Sequence, residues 1–435
     1  MKYTFGKRNV AQSVALALVG GAATLASGVV SANDIRTSPF HTVTNDATPG
    51  EVTGDNRLFQ PLTFRTPAGE TTVELSGYVR AQFAYDLEDD LGDSFVVSSI
   101  PTGDGEAGDG HVRFQARRSR FRIKSNTELA GGTQVKTHLE GDFFGVGGNQ
   151  SFSNSTALRL RIASINVGNW TFGQTWTNFM DFVAYPTTVD FFGPAGKSFK
   201  RIPQIRYTFD NGLSFSLENP ETDGVGALGR IRESTGGPGQ DLLPDITAAW
   251  RGGPGGAGGS YEISAVARTL GVEGTFTDAA GNDISVDETL GGFGFLAAGA
   301  WDFGFGTVAA SITTGDGIGS FIINGFGNDI FVDDTGDVST ITSTGVALSY
   351  KHNWSDKAST LISFGGFQNI DDDGENNGID NLQTIHVNYI WKTNAGVTYG
   401  AEIIAGNLET PQAGDPSSVD SGTATRLTFG AQFNF

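Results

Sequence analysis

Cations recur at every second position in two short stretches of the chain. Arg118, Arg120, Arg122 and Lys124 alternate with Ser119, Phe121 and Ile123, and Arg159 and Arg161 alternate with Leu158, Leu160 and Ile162. Lys136 and His138 lie in a stretch between the two. Successive side chains of an extended strand point to opposite faces, so each run puts its cations on one face and its apolar groups on the other. Neighbouring strands sit about 4.8 Å apart, and three such strands side by side make one basic patch. Cations gathered this closely repel one another. In a water-filled recess with low-dielectric walls such a patch raises the local concentration of anions. Glu140 and Asp142 share the middle stretch, and a second reading of the same residues is an ordinary polar wall in which these acids are partners.

Other chemistries fare worse. There is no Cys in 435 residues, which removes disulfides, cysteine-ligated zinc and a cysteine nucleophile. With 48 Asp+Glu against 28 Lys+Arg, the net charge of -20 lacks the basic footprint of a general nucleic-acid binder. Gly193-Pro194-Ala195-Gly196-Lys197-Ser198 imitates the end of a phosphate-binding loop, but the Gly required five residues before Gly196 is Phe191. Gly252–Gly259 is a turn without a dinucleotide fingerprint. Asp371-Asp372-Asp373-Gly374-Glu375 lacks the spaced ligands of a calcium loop and reads as a solvated acidic loop. The five His residues show no metal or triad spacing. No metal, cofactor or catalytic residue is expected, and the chain is not read as an enzyme.

The elements that must position the basic patch are strands. In Val73–Asp86 the odd positions are Val73, Leu75, Gly77, Val79, Ala81, Phe83 and Tyr85, while the even ones carry Glu74, Arg80, Gln82 and Asp86. Val135, Leu139 and Phe143 against Lys136, His138, Glu140 and Asp142 repeat this period of two, as do Leu213, Phe215 and Leu217 against Ser214, Ser216 and Glu218. Later instances are Val346, Leu348 and Tyr350, then Ile385, Val387, Tyr389 and Trp391, then Val397 to Ala405. Sixteen strands are expected, starting near 73, 113, 133, 157, 169, 202, 212, 244, 260, 291, 304, 340, 355, 381, 395 and 424. Their links alternate between short turns, such as Gly168-Asn169 and Asp210-Asn211-Gly212, and long connections at 87–111, 145–155, 177–201, 220–242, 271–289, 315–338, 368–380 and 408–423. That alternation belongs to outer-membrane barrels, an all-β, antiparallel, up-and-down architecture closed on itself. With sixteen strands such a barrel is wide enough for an aqueous channel.

Both ends of the chain agree with an exported barrel. Lys2, Lys7 and Arg8 precede a small-apolar stretch ending in Val30-Ser31-Ala32, the pattern of a signal peptide over residues 1–32. At the other end Leu427, Phe429, Ala431, Phe433 and the terminal Phe435 share one face, and Phe433 and Phe435 are the expected assembly signal. The barrel is placed at 72–435. The connection at 177–201 carries Phe179, Met180, Phe182, Val183, Tyr185, Phe191, Phe192 and Phe199. So much apolar surface predicts that this third external loop folds inward, with Asp181 and Asp190 facing the arginines across a narrowed opening. A second reading packs it between subunits. The charge is also segregated: residues 86–110 hold eight acids and no Lys or Arg, and 111–127 hold six basic groups and no acid.

Several of these segments resemble the DcaP-like porins. They are Val112-Arg113-Phe114-Gln115-Ala116-Arg117-Arg118-Ser119-Arg120-Phe121, Leu139-Glu140-Gly141-Asp142-Phe143-Phe144, Leu158-Arg159-Leu160-Arg161, Gly173-Gln174-Thr175-Trp176, Phe192-Gly193-Pro194 and Pro203-Gln204-Ile205-Arg206-Tyr207. The resemblance is specific over about 112–207 and looser beyond. It implies a homotrimeric, sixteen-stranded outer-membrane channel that favours small anions such as dicarboxylates, with Arg118, Arg120, Arg122, Arg159, Arg161 and Arg206 in the pore lining. Its expected surroundings are outer-membrane lipid and lipopolysaccharide. Family members often begin with a helical, coiled-coil-like segment, whereas residues 33–71 here hold Pro39, Pro49, Pro61 and Pro67 and no sustained heptad. That stretch is read as a flexible or plug-like periplasmic extension. The alternatives to an anion-favouring porin are a non-selective diffusion porin, a barrel enzyme and an adhesin.

Overall fold

A strand that crosses hydrocarbon leaves no backbone N–H or C=O unpaired, and the arrangement of this chain follows from that requirement. The computed structural model describes residues 61–435 apart from 104–107, 149–152, 230, 232–236, 254–258, 279, 324–326, 371–378 and 413–414. The expected signal peptide, most of the 33–71 extension, Asp104, Glu106 and the acidic stretch Asp371–Glu375 lie outside the described residues.

The chain runs through β1 (Leu62–Thr66), β2 (Gly69–Asp86), β3 (His111–Gln115), β4 (Arg120–Leu129), β5 (Gln134–Gly145), β6 (Ala157–Val167) and β7 (Trp170–Trp176). It continues with β8 (Arg201–Thr208), β9 (Leu213–Glu218), β10 (Gly224–Gly226), β11 (Asp245–Gly252), β12 (Gly259–Thr277), β13 (Asp283–Asp302) and β14 (Gly306–Asp316). The last seven are β15 (Ile330–Val332), β16 (Val338–Thr340), β17 (Thr342–Ser355), β18 (Ala358–Ile370), β19 (Asn381–Lys392), β20 (Val397–Gln412) and β21 (Asp415–Asn434). Consecutive wall strands pair antiparallel, and β21 pairs with β2 from Tyr78↔Asn434 to Asp86↔Arg426, which closes the ring. β3 and β4 pair with the two halves of β2 and together form one wall strand, broken at residues 116–119. Counted so, the barrel has sixteen antiparallel strands.

The period of two sorts the side chains. Val79, Phe114, Leu158, Phe215, Ile263, Phe295, Leu348, Ile385, Ile403 and Leu427 stand exposed on the outside, while Arg80, Gln82, Glu140, Ser216, Ser363, Thr384 and Glu402 are buried inside. Aromatic side chains cluster at the short-turn end. Trp170 meets Tyr207 at 4.9 Å, Trp250 meets Tyr261 at 5.3 Å, and Trp391 meets Tyr399 at 5.4 Å, a girdle of the kind found where a barrel leaves the hydrocarbon.

Four expectations need correction. The connections at 271–289 and 408–423 are largely strand: β12 and β13 stay in register out to Thr277↔Asp283, and β20 and β21 out to Gln412↔Asp415. In the first, Val272, Phe276, Ile284 and Val286 keep the period of two going, so pairing continues beyond the wall. The proposed barrel start at 72 falls inside β2, whose first residues form a hairpin with β1 from Leu62↔Val73 to Thr66↔Gly69. Just past it Gly77 and Phe435 exchange backbone hydrogen bonds of 2.9 and 3.0 Å, so the terminal residue is fixed in the ladder. Ile162 does not alternate with Arg161. A register shift at Glu140/Gly141 turns both residues inward, and Ile162 packs with Trp176, Met180, Phe182 and Tyr185. The run Arg118–Lys124 is likewise interrupted, since Arg118 sits in the break between β3 and β4.

The connection between β7 and β8 crosses the inside of the ring. Near its origin Thr177 Oγ1 and the Asn178 N–H bind Glu218 on β9, and the Phe182 N–H binds Glu262 on β12. It then reaches the opposite wall. The Val189 and Asp190 N–H groups donate to Glu402 on β20 at 2.8 and 3.1 Å, and the Ala195 N–H donates to Thr384 Oγ1 on β19 at 3.0 Å. At Gly196 the backbone has φ +81°, and an added Cβ would stand 2.0 Å from the Gly366 carbonyl oxygen. Gly345 meets it from β17 in the same way, with an added Cβ 2.1 Å from the Gly196 oxygen. Phe179, Val183 and Ala195 join Phe95, Val97, Ile318, Phe321 and wall residues in an apolar cluster enclosed by the ring.

Two substitutions test this arrangement. Leu348→Arg places a charge on the exposed outer face of β17 and is expected to destabilise the inserted barrel by roughly 2–4 kcal/mol. Normal yield on refolding into lipid vesicles would show that Leu348 faces elsewhere. Gly196→Ala is expected to detach residues 177–200 from the far wall while the ring stays closed. Limited proteolysis of the folded variant should then cut within that segment, and resistance equal to the unaltered protein would refute the docking.

Candidate functional site

The three basic strands lie side by side as β4, β5 and β6, and register brings their charged residues together. Arg120 faces Asp142, Arg122 faces Glu140, and Asp142 faces Arg159 across the β4–β5 and β5–β6 ladders. Glu140 is the centre of the group. It accepts from Arg122 at 2.6 Å and Arg161 at 2.7 Å, with Arg120 at 3.5 Å and His138 at 3.9 Å. Asp142 takes a fork of two bonds from Arg159, at 2.9 and 2.7 Å, and a third from Arg161 at 3.0 Å. Four guanidiniums therefore share two carboxylates, and the patch keeps an excess of positive charge. Arg159 is its most open member, with 31% of its side chain exposed, whereas Arg161 retains 1%.

Aromatic rings flank the guanidiniums. Tyr78 lies 5.3 Å from Arg120 and 5.9 Å from Arg122, Phe144 lies 5.1 Å from Arg159, and Trp176 lies 5.8 Å from Arg161. Phe191 of the crossing segment stands within 5.5–5.8 Å of Arg118, Arg159 and Arg161. Ring faces are electron-rich, so this packing adds attraction while it fixes the planes of the cations.

The remaining expected site residues are elsewhere. Lys136 is exposed and Lys124 half-buried, opposite Glu74 and His138, both nearer the short turns than the Arg–acid group. Arg206 is buried on β8 and donates to the Trp176 carbonyl and to Gln204, which ties it to the root of the crossing segment. Asp181 and Asp190 do not face an opening. Both are fully buried: Asp181 accepts from the Ala184 N–H, and Asp190 accepts from the Phe95 and Phe192 N–H groups with Arg426 3.8 Å away. A connection turning inside a ring has backbone donors of its own to satisfy, and these two carboxylates serve them. The segment that imitates a phosphate loop is part of the same turn. Lys197 donates to the Phe192 and Pro194 carbonyls, and Ser198 to that of Phe179.

Sequence reading missed Arg80, Arg201 and the pairing of the segregated charges. Arg80 was placed on the inner face of β2, but its neighbour was not foreseen: its N–H bonds Ser119, next to Arg118. Arg201 covers Trp176 at 4.8 Å and Phe199 at 5.6 Å. The acidic and basic stretches bind each other, with Arg113 on Asp90 and Asp93 and Arg117 on Asp93, while Arg426 of β21 takes Asp86 as its partner. Asp90 illustrates the electrostatics outside the wall: partial burial pushes its carboxyl up, but hydrogen bonds from Arg113 and the Gly92 N–H outweigh this and hold it below the usual range. Acids just ahead of an arginine-rich strand were the available signal.

Residues 63–213 match the family model described as DcaP outer membrane protein. No curated protein matches the chain. Among solved structures it is similar to the outer membrane channel DcaP of Acinetobacter baumannii, with 23% identity and a TM-score of 0.69 over 86% of this chain and 99% of that one. It is also similar to OmpT of Vibrio cholerae, with 12% identity and a TM-score of 0.53 over 86% and 100% of the two chains. Salmonella typhi OmpF, solved in complex with daunomycin, gives 12% and 0.50 over 84% and 98%. At these identities the structures speak for the fold. Taken with the family-model match over 63–213, the closed sixteen-stranded ring and the apolar outer face, they show a β-barrel of the outer-membrane type that over that stretch is similar to the DcaP outer membrane proteins.

Proposed function

We propose that this barrel is an outer-membrane porin that lets small hydrophilic solutes diffuse passively down their gradients and favours anions, dicarboxylates among them. The observation that carries the reading is the charge count on the inner face of β4–β6: Arg120, Arg122, Arg159 and Arg161 against Glu140 and Asp142, with Arg118 and Arg201 beside them. In a lumen walled by low-dielectric material this excess acts over several ångströms and draws anions toward the segment held across the ring. Arg159 is the group a passing solute meets, since it carries the exposed side chain. The family resemblance supports dicarboxylates as the class. A homotrimer is proposed on the same resemblance; OmpT of Vibrio cholerae, a barrel of similar fold, has been solved in a trimer form.

The test is the reversal potential of the refolded protein in a planar bilayer under a potassium chloride gradient. A value of chloride sign is expected, with added dicarboxylate reducing chloride current. Arg159→Gln should lower the chloride-to-potassium permeability ratio by about two- to five-fold. Arg159 is the informative position because removing Arg161, buried between two carboxylates, would cost about 3–5 kcal/mol of stability and confuse the result. A potassium-sign potential, or a ratio unmoved by Arg159→Gln, would defeat the proposal.

A further inference from the structure

Two arginines next to the patch have no carboxylate. Arg80 on β2 and Arg118 in the break before β4 are 8% and 9% exposed, and among the described residues neither makes an ion pair. Both aim at one atom, the Val189 carbonyl oxygen of the crossing segment, with Arg80 at 2.6 Å and Arg118 at 2.7 Å. Arg80 also donates to Gln432 Oε1 at 3.0 Å, and Arg118 covers the ring of Phe191 at 5.5 Å. The Nε–H of each guanidinium is buried and has no acceptor. One carbonyl dipole does not balance two buried charges, and two unused donors on cations are costly in a dry site.

The nearest acids are committed elsewhere. Glu402 holds the N–H groups of Val189 and Asp190 together with Asn388 and His386, and Asp190 holds the Phe95 and Phe192 N–H groups. The Val189 peptide therefore lies between a carboxylate on its N–H side and two guanidiniums on its C=O side.

Around the two arginines is a small cavity lined by Tyr78, Arg80, Arg118, Thr188, Val189 and Gln432. Its volume of about 20 Å³ admits one water-sized or slightly larger particle. Glycines keep it open: a Cβ on Gly430 would lie 3.0 Å from Arg80 Nη2, and one on Gly400 would lie 2.6 Å from Val189 Cγ2.

We propose that this cavity binds a small monovalent anion of halide size, held by Arg80 and Arg118, and that the bound ion fastens the crossing segment to the wall. The ion lies against both guanidiniums and adds negative charge to that of Glu402 and Asp190, which act on Arg80 without forming an ion pair with it. A dicarboxylate is too large for the space, so this site is separate from passage of the solute. It stands or falls independently of the transport reading, which the reversal potential decides.

The experiment is a crystal of the intact porin grown in sodium bromide, joined to thermal unfolding in detergent at constant ionic strength. One anomalous-scattering peak is expected in the cavity, within hydrogen-bond reach of both guanidiniums. The unfolding midpoint should rise by roughly 1–3 °C from isethionate to bromide, saturating below molar concentration. Both signals should vanish in Arg80→Met. If that variant does not refold, Arg80→Gln, which keeps a neutral donor in the cavity, takes its place. Water in the cavity without anomalous signal overturns the proposal. So does a bromide peak with no rise in the midpoint, which would mark an adventitious ion only.

Discussion

Pairing of every backbone group inside the wall is the constraint on which the rest of this structure depends. It forces a closed ring, and a closed ring of strands allows a side chain only two directions. Because the outer direction meets hydrocarbon, nearly all charge carried by the wall strands is sent inward. Glu140, Asp142, Arg161, Glu218, Glu262, Arg268, Glu402 and Arg426 are all buried in the lumen as a result. Charge concentrated in that way has to be compensated locally, and the compensation shapes the interior.

One device recurs. An arginine pairs with an acid on the adjacent strand and uses its remaining N–H groups on the backbone of an incoming connection. Arg251 binds Glu262 at 2.6 Å and donates to the Asn178 carbonyl at 2.6 Å. Arg268 lies between Asp245 and Asp329, at 3.1 and 2.9 Å, and donates to the carbonyls of Gly317 and Glu221. Arg426 donates a fork of two bonds to Asp86 and a further one to the Gly92 carbonyl at 2.8 Å. Each pair neutralises a wall charge and satisfies carbonyls that would otherwise be stranded, so connections that open water would keep outside are drawn into the ring. The short parallel contact of β10 with β15, from Gly224↔Ile330 to Gly226↔Val332, joins two of these connections over the lumen.

How much of this was legible depends on range. Alternation is a local property, and it located the wall strands to within a few residues except where β13 and β21 begin early. The inward turn of residues 177–200 was readable from its apolar content, because water leaves such a segment few alternatives. Its docking was not, since Gly196 meets Gly345 and Gly366 by long-range packing that no local pattern announces. The break at 116–119 and the inward turn of Ile162 each depend on one residue out of register with a neighbouring strand. Asp181 and Asp190 were misplaced for a similar reason. Their carboxylates were weighed as charges, while the nearby backbone N–H groups that claim them belong to a turn whose shape the sequence does not state.

The interior also explains why arginine stands at these positions where lysine would carry the same charge. Arg161 must reach Glu140 and Asp142 at once, and a planar fork of five donors does so while its face lies over Trp176. Arg159 makes a two-point contact with Asp142 and stacks on Phe144. An ammonium at either place would keep the charge but hold neither the second oxygen nor the ring, and its long stem would wander. The lysines of these strands, Lys124 on β4 and Lys136 on β5, lie outside the Arg–acid group. Positive charge held in a fixed plane by acids and rings keeps its position, so the field inside the ring is set by the fold and not by the momentary conformation of free side chains.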